Sequence, residues 1–188
     1  MAILNAEGIA QLGLASCGEN VYISDKASFY GASNIHIGSN VRIDDFCVLS
    51  AGEGGIVIGD YIHIAVYSSL IGKGKIYLGD FCNISSRVSI YSSSDDYSGE
   101  SMSNPMVDDQ FKNVFHDDVF LGKHVIVGTG SAILPGCRIE QGAAIGAMSL
   151  INNNCEAFSI YAGVPAQKIK KRSSKILSLE LEFLKKAE

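Results

Sequence analysis

From Leu121 to Ile151 every sixth residue is a branched aliphatic: Leu121, Val127, Ile133, Ile139, Ile145 and Ile151. The residue four places after each of the first five is Val125, Ser131, Cys137, Ala143 or Ser149, small in four of the five cases. A period of six fits neither a helix, whose apolar residues return at three and four, nor a lone strand, which alternates every second residue. It predicts an all-β solenoid, a parallel β-helix of hexapeptide repeats. Three six-residue sides make one triangular coil, and the aliphatic opening each repeat points into the prism. Stacked coils then join these side chains into a continuous apolar column.

The same rule runs upstream with interruptions, through Ile23 and Phe29, then Ile37, Ile43 and Leu49, then Ile58, Ile64 and Leu70, then Leu78, Ile84 and Ile90. Glycine-rich breaks at 52–55 and 72–74 fall where corners are expected. Residues 1–20 fit the repeat poorly and are expected to form a lead-in or cap, with the solenoid over 21–160. Inside it, residues 91–118 are polar and carry no hexad, and so long an irregular loop in a compact repeat protein points to function. Tyr161-Ala162-Gly163-Val164-Pro165 breaks the coil, and 161–188 forms a closing segment. Its stretch Ser173–Ala187 reads as an amphipathic helix covering the open end of the solenoid.

At 188 residues one domain is expected. A net charge of −5 argues against nucleic acid or an anionic membrane as a bulk partner. No apolar run approaches the ~18 residues of a membrane span, and no basic stretch followed by an apolar core marks a signal peptide. The five cysteines are scattered, and Cys47, Cys82 and Cys137 occupy small inward slots. They read as packed thiols of a reducing cytoplasm. No Cys or His spacing suggests a metal.

Three motifs in order, GTGSAILPG at 128–136, IGAMS at 145–149 and AGVPA at 162–166, resemble the left-handed β-helix acyltransferases. That family includes galactoside, maltose and serine acetyltransferases and the nucleotide-sugar N-acetyltransferases of surface-polysaccharide pathways. The resemblance covers roughly residues 20–172. It implies a left-handed solenoid, a homotrimer, and acyl transfer from acetyl-CoA at each subunit interface; handedness is not readable from the spacing. For the donor, the matching positions are Thr129, Ala147, Asn152 and Asn153, with Gln167 and Lys170 in the closing element. Lys168, Lys171 and Arg172 are further candidates for the 3′-phosphate through charge-assisted bonds. The chain departs from the family where Asn153 and Gln167 replace residues that are frequently cationic.

The galactoside and maltose branch opens the loop with a histidine, and here Asp95 stands at that position. An ordinary carboxylate, with a pKa near ~4, is a weak general base at neutral pH. This favours an amine acceptor, which attacks a thioester as the neutral base without losing a proton first. The competing bases are His63, facing outward at the turn of its hexad, His124 in the coil after the loop, and His116 at the loop's end. His36 lies far in sequence from the donor coils. The run Ser94-Asp95-Asp96-Tyr97-Ser98-Gly99-Glu100 looks like the loop of the subgroup that acylates nucleotide-linked amino sugars, although it is also good turn chemistry. Chemically the loop suits such a substrate: Asp95, Asp96 and Glu100 can hold and orient an amino sugar, Tyr97 or Tyr91 can stack on a sugar face or base, and Arg87 and Lys112 can pair with a pyrophosphate. The expectation is an acyl-CoA-dependent N-acyltransferase of an amino sugar, nucleoside-diphosphate-linked, serving O-antigen, capsule or lipopolysaccharide synthesis. The alternatives are an O-acetyltransferase on a sugar or serine hydroxyl with His63 or His124 as base, and a non-catalytic scaffold. A carbonic-anhydrase-like zinc site fits poorly, because His63, His116 and His124 lack that family's arrangement.

Overall fold

A computed structural model describes residues 2–186. The chain winds into a left-handed parallel β-helix of about seven turns. Short strands stack into three faces of six, eight and six strands. The hexad aliphatics are vertical neighbours: on one face Ile23 stands opposite Ile43, then Ile64, Ile84, Val127 and Ile145. All of these are buried, at most 3% exposed. Parallel in-register stacking is what the period of six requires, since any slip would turn an aliphatic outward.

The solenoid begins with the strand Ser16–Cys17, earlier than the repeat suggests, after a short helix α1 (Ala6–Gln11) capped by Asn5. Glycine is demanded where coils approach most closely. An added Cβ at Gly128 would lie 2.5 Å from the Ala147 backbone nitrogen. Thiols fill interior slots: burial pushes Cys47 up to about 11 and Cys82 and Cys155 up to about 12, which holds them protonated and unreactive.

One corner of the prism is built unexpectedly. Tyr61, Phe81 and His124 all take left-handed backbone angles, with φ of 56°, 59° and 61°. Such angles cost a non-glycine residue roughly 1–2 kcal/mol. Stacking offsets this: the rings of Tyr61 and Phe81 lie 4.8 Å apart, and those of Phe81 and His124 5.0 Å. Each aromatic pair contributes roughly 0.5–1.5 kcal/mol beyond burial.

Helix α2 (Ile176–Leu184) packs on this ladder. It runs against the side of the solenoid and not over its end, correcting the sequence expectation; Ala187 lies outside the described residues. Phe183 meets Tyr61 edge-on at 5.3 Å, and Glu180 bonds His124 Nε2 at 2.7 Å beside Lys123. Burial raises the Glu180 carboxyl, but the bonds from Lys123 and His124 outweigh it and hold it below its ordinary 4.5. The ion-paired docking is therefore fully present above pH 4.5 and is lost as pH falls through the lower folded value. Glu180→Ala should speed amide exchange of 176–184 by about tenfold or more, since so short a helix is marginal alone. The coils should keep their protection; unchanged exchange in the helix would rule out this anchor.

Candidate active site

The closing element makes a cleft. After the strand Ser159–Gly163 the chain reverses into Ala166–Lys171, the one antiparallel pairing on the long face among the described residues. Between this ribbon and the preceding turn lies a cleft of about 280 Å³, lined by Asn152, Asn153, Glu156, Tyr161, Gln167 and Lys168 among others. It brings together four residues nominated for the donor: Asn152, Asn153, Gln167 and Lys168. Lys168 pairs with Glu156 at 2.6 Å across its rim, and Lys170 is exposed on the same strand. Arg172 leaves the set of phosphate ligands. Its guanidinium donates to the carbonyls of His124, Gly142 and Ala143 and ties the closing strand to the coils.

Thr129 and Ala147 stand one coil apart at a second corner, both exposed. The Thr129 hydroxyl donates to the Ser86 carbonyl at 2.6 Å, and its own carbonyl accepts from Met148 N–H at 2.8 Å. Thr129 thus shapes the corner, and Ala147 leaves it bare.

The large loop leaves at the third corner. Its base is closed by an antiparallel pair, Ser93 opposite His116 and Ser94 opposite Phe115. Ser93 Oγ accepts from Lys73 N–H and contacts His116 Nδ1, both at 2.7 Å, so His116 helps seal the base. Asp96 is a turn residue: Ser98 donates to it through both N–H and Oγ, and these bonds hold its carboxyl below the ordinary range. Lys112 is ion-paired with Asp109 at 2.7 Å. Asp95, Tyr97 and Glu100 are exposed, Tyr97 at 93%. The Asp95 side chain has no hydrogen-bond partner among the described residues.

Two nominated residues are placed differently. His124 is walled in by Phe81 and Glu180, its side chain only 10% exposed, and belongs to the helix anchor and not to the bases. Arg87 sits at the opposite end of the Ser89–Tyr91 strand from the loop, its guanidinium 5.5 Å over Tyr67. One chain does not bring it to Asp95.

His63 lies on a strand, not at a turn, half-exposed on the outer surface of the long face. Its Nε2 meets Asp44 Oδ2 at 2.8 Å, while Arg42 Nε donates to Asp44 Oδ1 at 2.7 Å. Asp44 is 7% exposed. Burial raises its carboxyl, yet the bonds from Arg42 and His63 prevail and hold it below 3.8. The sequence reading missed Asp44. Its signal was there: on this face the residue after the inward aliphatic is Ser24, Ala65, Ser85, Gly128 and Gly146 in other coils, and only here a carboxylate.

The chain matches known proteins over nearly its whole length, though no family model matches it. It is 59% identical over 183 residues to the dTDP-4-amino-4,6-dideoxy-D-glucose acyltransferase of Escherichia coli, covering 97% of this chain and 95% of that one. The crystal structure of an AntD variant, an N-acyltransferase from Bacillus cereus in complex with dTDP-4-amino-4,6-dideoxyglucose and coenzyme A, superposes with a TM-score of 0.94 at 46% identity over 98% of each chain. AntD with dTDP and 3-hydroxybutyryl-CoA gives the same TM-score and identity, over 98% of this chain and 97% of that one. By this likeness over nearly its whole length, the chain belongs to the acyl-CoA-dependent acyltransferases of dTDP-linked amino sugars.

Proposed function

We propose that the protein transfers an acyl group from acyl-CoA to the amine of a dTDP-linked 4-amino-4,6-dideoxyglucose. The observation that carries this is full-length likeness, loop included, to AntD in complex with that sugar nucleotide and coenzyme A. The amine nitrogen attacks the thioester carbonyl, the C–N bond forms, the C–S bond breaks, and the leaving thiolate of coenzyme A takes up a proton as the amine nitrogen loses one. Hydrogen-bond donors near the carbonyl stabilise the transient oxyanion. The cleft at Asn152, Asn153 and Gln167, with Lys170 at its edge, receives the nucleotide end of the donor. Thr129 and Ala147 let the pantetheine arm lie against the coils. Asp95 orients the amine by charge, with Glu100 and Tyr97 as outer contacts and His116 and Asp96 shaping the loop.

The donor corner and the loop occupy different corners of one prism, which supports a homotrimer in which the loop of one copy meets the donor corner of the next. Exposed Tyr97, Met106, Phe111 and Phe115 on the loop suit such an interface. A dTDP-sugar acceptor supports a cytoplasmic role in surface-glycan or lipopolysaccharide assembly; no described helix is long and apolar enough to cross a membrane. The test is thiol release from acetyl-CoA with a panel of nucleotide-linked 3- and 4-amino sugars beside galactosides, maltose and serine. Turnover confined to the dTDP-4-amino sugar is expected. Turnover only with hydroxyl acceptors would replace N-acylation by O-acylation. Sedimentation should return three times the 20.0 kDa chain mass.

A further inference from the structure

We infer that Glu156 competes with the donor's phosphates for Lys168, so that the closing cleft holds coenzyme A loosely and releases it readily; this rests on the cleft being the donor site proposed above. Acyl-CoA and coenzyme A carry the same nucleotide end, so a tight grip there lowers KM without raising kcat. The same grip slows departure of the product, which limits turnover in many enzymes. A carboxylate that reclaims the lysine offsets part of the grip in both complexes.

The closing ribbon places a single cation in the cleft. Tyr161 stands opposite Lys168 and Ile160 opposite Lys170, so Ile169 is an extra residue between two consecutive pairs, a β-bulge. In a regular strand Lys168 and Lys170 would share a face, because side chains alternate. Directly opposed residues point the same way. The bulge therefore sends Lys168 to the side of buried Tyr161 and Lys170 to the side of half-buried Ile160. Re-aiming a side chain is what such bulges do. Among the described residues that line the cleft, Lys168 is the one cation and Glu156 the one carboxylate.

Glu156 is held in place to meet that cation. The preceding Cys155 is bonded through both backbone groups, its N–H donating to the Arg138 carbonyl at 2.8 Å and its carbonyl accepting from Glu140 N–H at 2.9 Å. The Glu156 N–H itself donates to the hydroxyl of Tyr161 at 3.0 Å, and Tyr161 is only 8% exposed. From this fixed backbone the Glu156 carboxylate accepts from Lys168 Nζ at 2.6 Å. The bond raises the ammonium above its ordinary 10.5 and keeps it charged. The one cation of the cleft is thus neutralised before any phosphate arrives. A phosphate that reaches Lys168 must displace a carboxylate, and the anchored backbone keeps that carboxylate beside it.

Calorimetry and displacement kinetics with coenzyme A itself, on the whole protein, test the competition. Glu156→Gln should tighten coenzyme A about three- to fivefold, the scale of an exposed ion pair that need no longer be broken. The gain should lie in slower dissociation and fade at about 1 M salt. Lys168→Met should weaken binding about tenfold. In that background Glu156→Gln should gain less than about twofold, since the partner it releases is gone. Both side chains reach solvent, at 71% and 36% exposed, so the variants keep the fold. Glu156→Gln binding within about twofold of wild type, or more weakly, would overturn the inference; weaker binding would make Glu156 a support for Lys168. A gain above about twofold that persists without Lys168 would overturn it too, as plain repulsion. Failure of the donor reading looks different: the wild-type protein would transfer acyl groups while Lys168→Met left its coenzyme A binding unchanged.

Discussion

Excising residues 95–114 and joining Ser94 to Phe115 through a two-residue Asn-Gly turn should abolish acyl transfer while the solenoid survives. The cut is made where the chain has already closed on itself. Ser94 and Phe115 face each other in an antiparallel pair, and such a pair accepts a two-residue turn. Below the pair the loop base is stitched to the coils without the excised part: Ser92 Oγ donates to the Gly74 carbonyl at 2.7 Å, and Lys75 N–H donates to Asp118 at 2.7 Å. The removed segment contributes no residue to the buried core. Melting should shift by no more than a few degrees, and coenzyme A should bind within about threefold of the intact protein. Transfer to the amino sugar should fall by at least about 10²-fold, the scale of losing the orientation of a reacting group. Turnover retained within about tenfold would mean that the loop neither holds the acceptor nor shapes its site.

The contrast between coils and loop shows what the sequence makes legible. A six-residue period imposes a column at every coil, so Ile84 can be placed inside from its own neighbourhood. The aromatic corner escaped because left-handed angles are expected at glycine and asparagine, and nothing local marks Tyr61 or Phe81 as taking them. Their compensation comes from rings a full coil away. His124 was misassigned for the same reason: the carboxylate that confines it, Glu180, lies 56 residues further on. Arg172, nominated from its place in a basic run, turns back onto carbonyls 29 to 48 residues earlier. Asp44 needed comparison down a column, not along the chain. The small residue at Ala147 was legible because adjacent coils approach closely there.

Replacing Ile84 by alanine should destabilise the protein by about 2–5 kcal/mol, the range for deleting a fully buried aliphatic where neighbours relax only partly. Ile84 is 0% exposed and lies between Ile64 and Val127, so truncation opens a gap toward coils on both sides. In a solenoid each coil is supported only by its neighbours. A defect in the middle therefore weakens two interfaces, whereas Ile23→Ala, with Ile43 as its single register partner on that face, weakens one and should lose less. The fourth coil also carries Ser86, whose carbonyl receives the Thr129 hydroxyl, and the strand that launches the loop. Loosening that coil should shift the proposed donor corner and the proposed acceptor loop together, so activity should fall at temperatures below the global melt. Urea unfolding followed by far-ultraviolet dichroism gives the stability, and thiol release at rising temperature gives the activity. Tyr97→Ala, at a side chain 93% exposed, is the control and should stay within about 0.5 kcal/mol of wild type. A loss below about 1 kcal/mol for Ile84→Ala, or a loss equal to that of Ile23→Ala, would show that the column does not carry the stability its continuity implies.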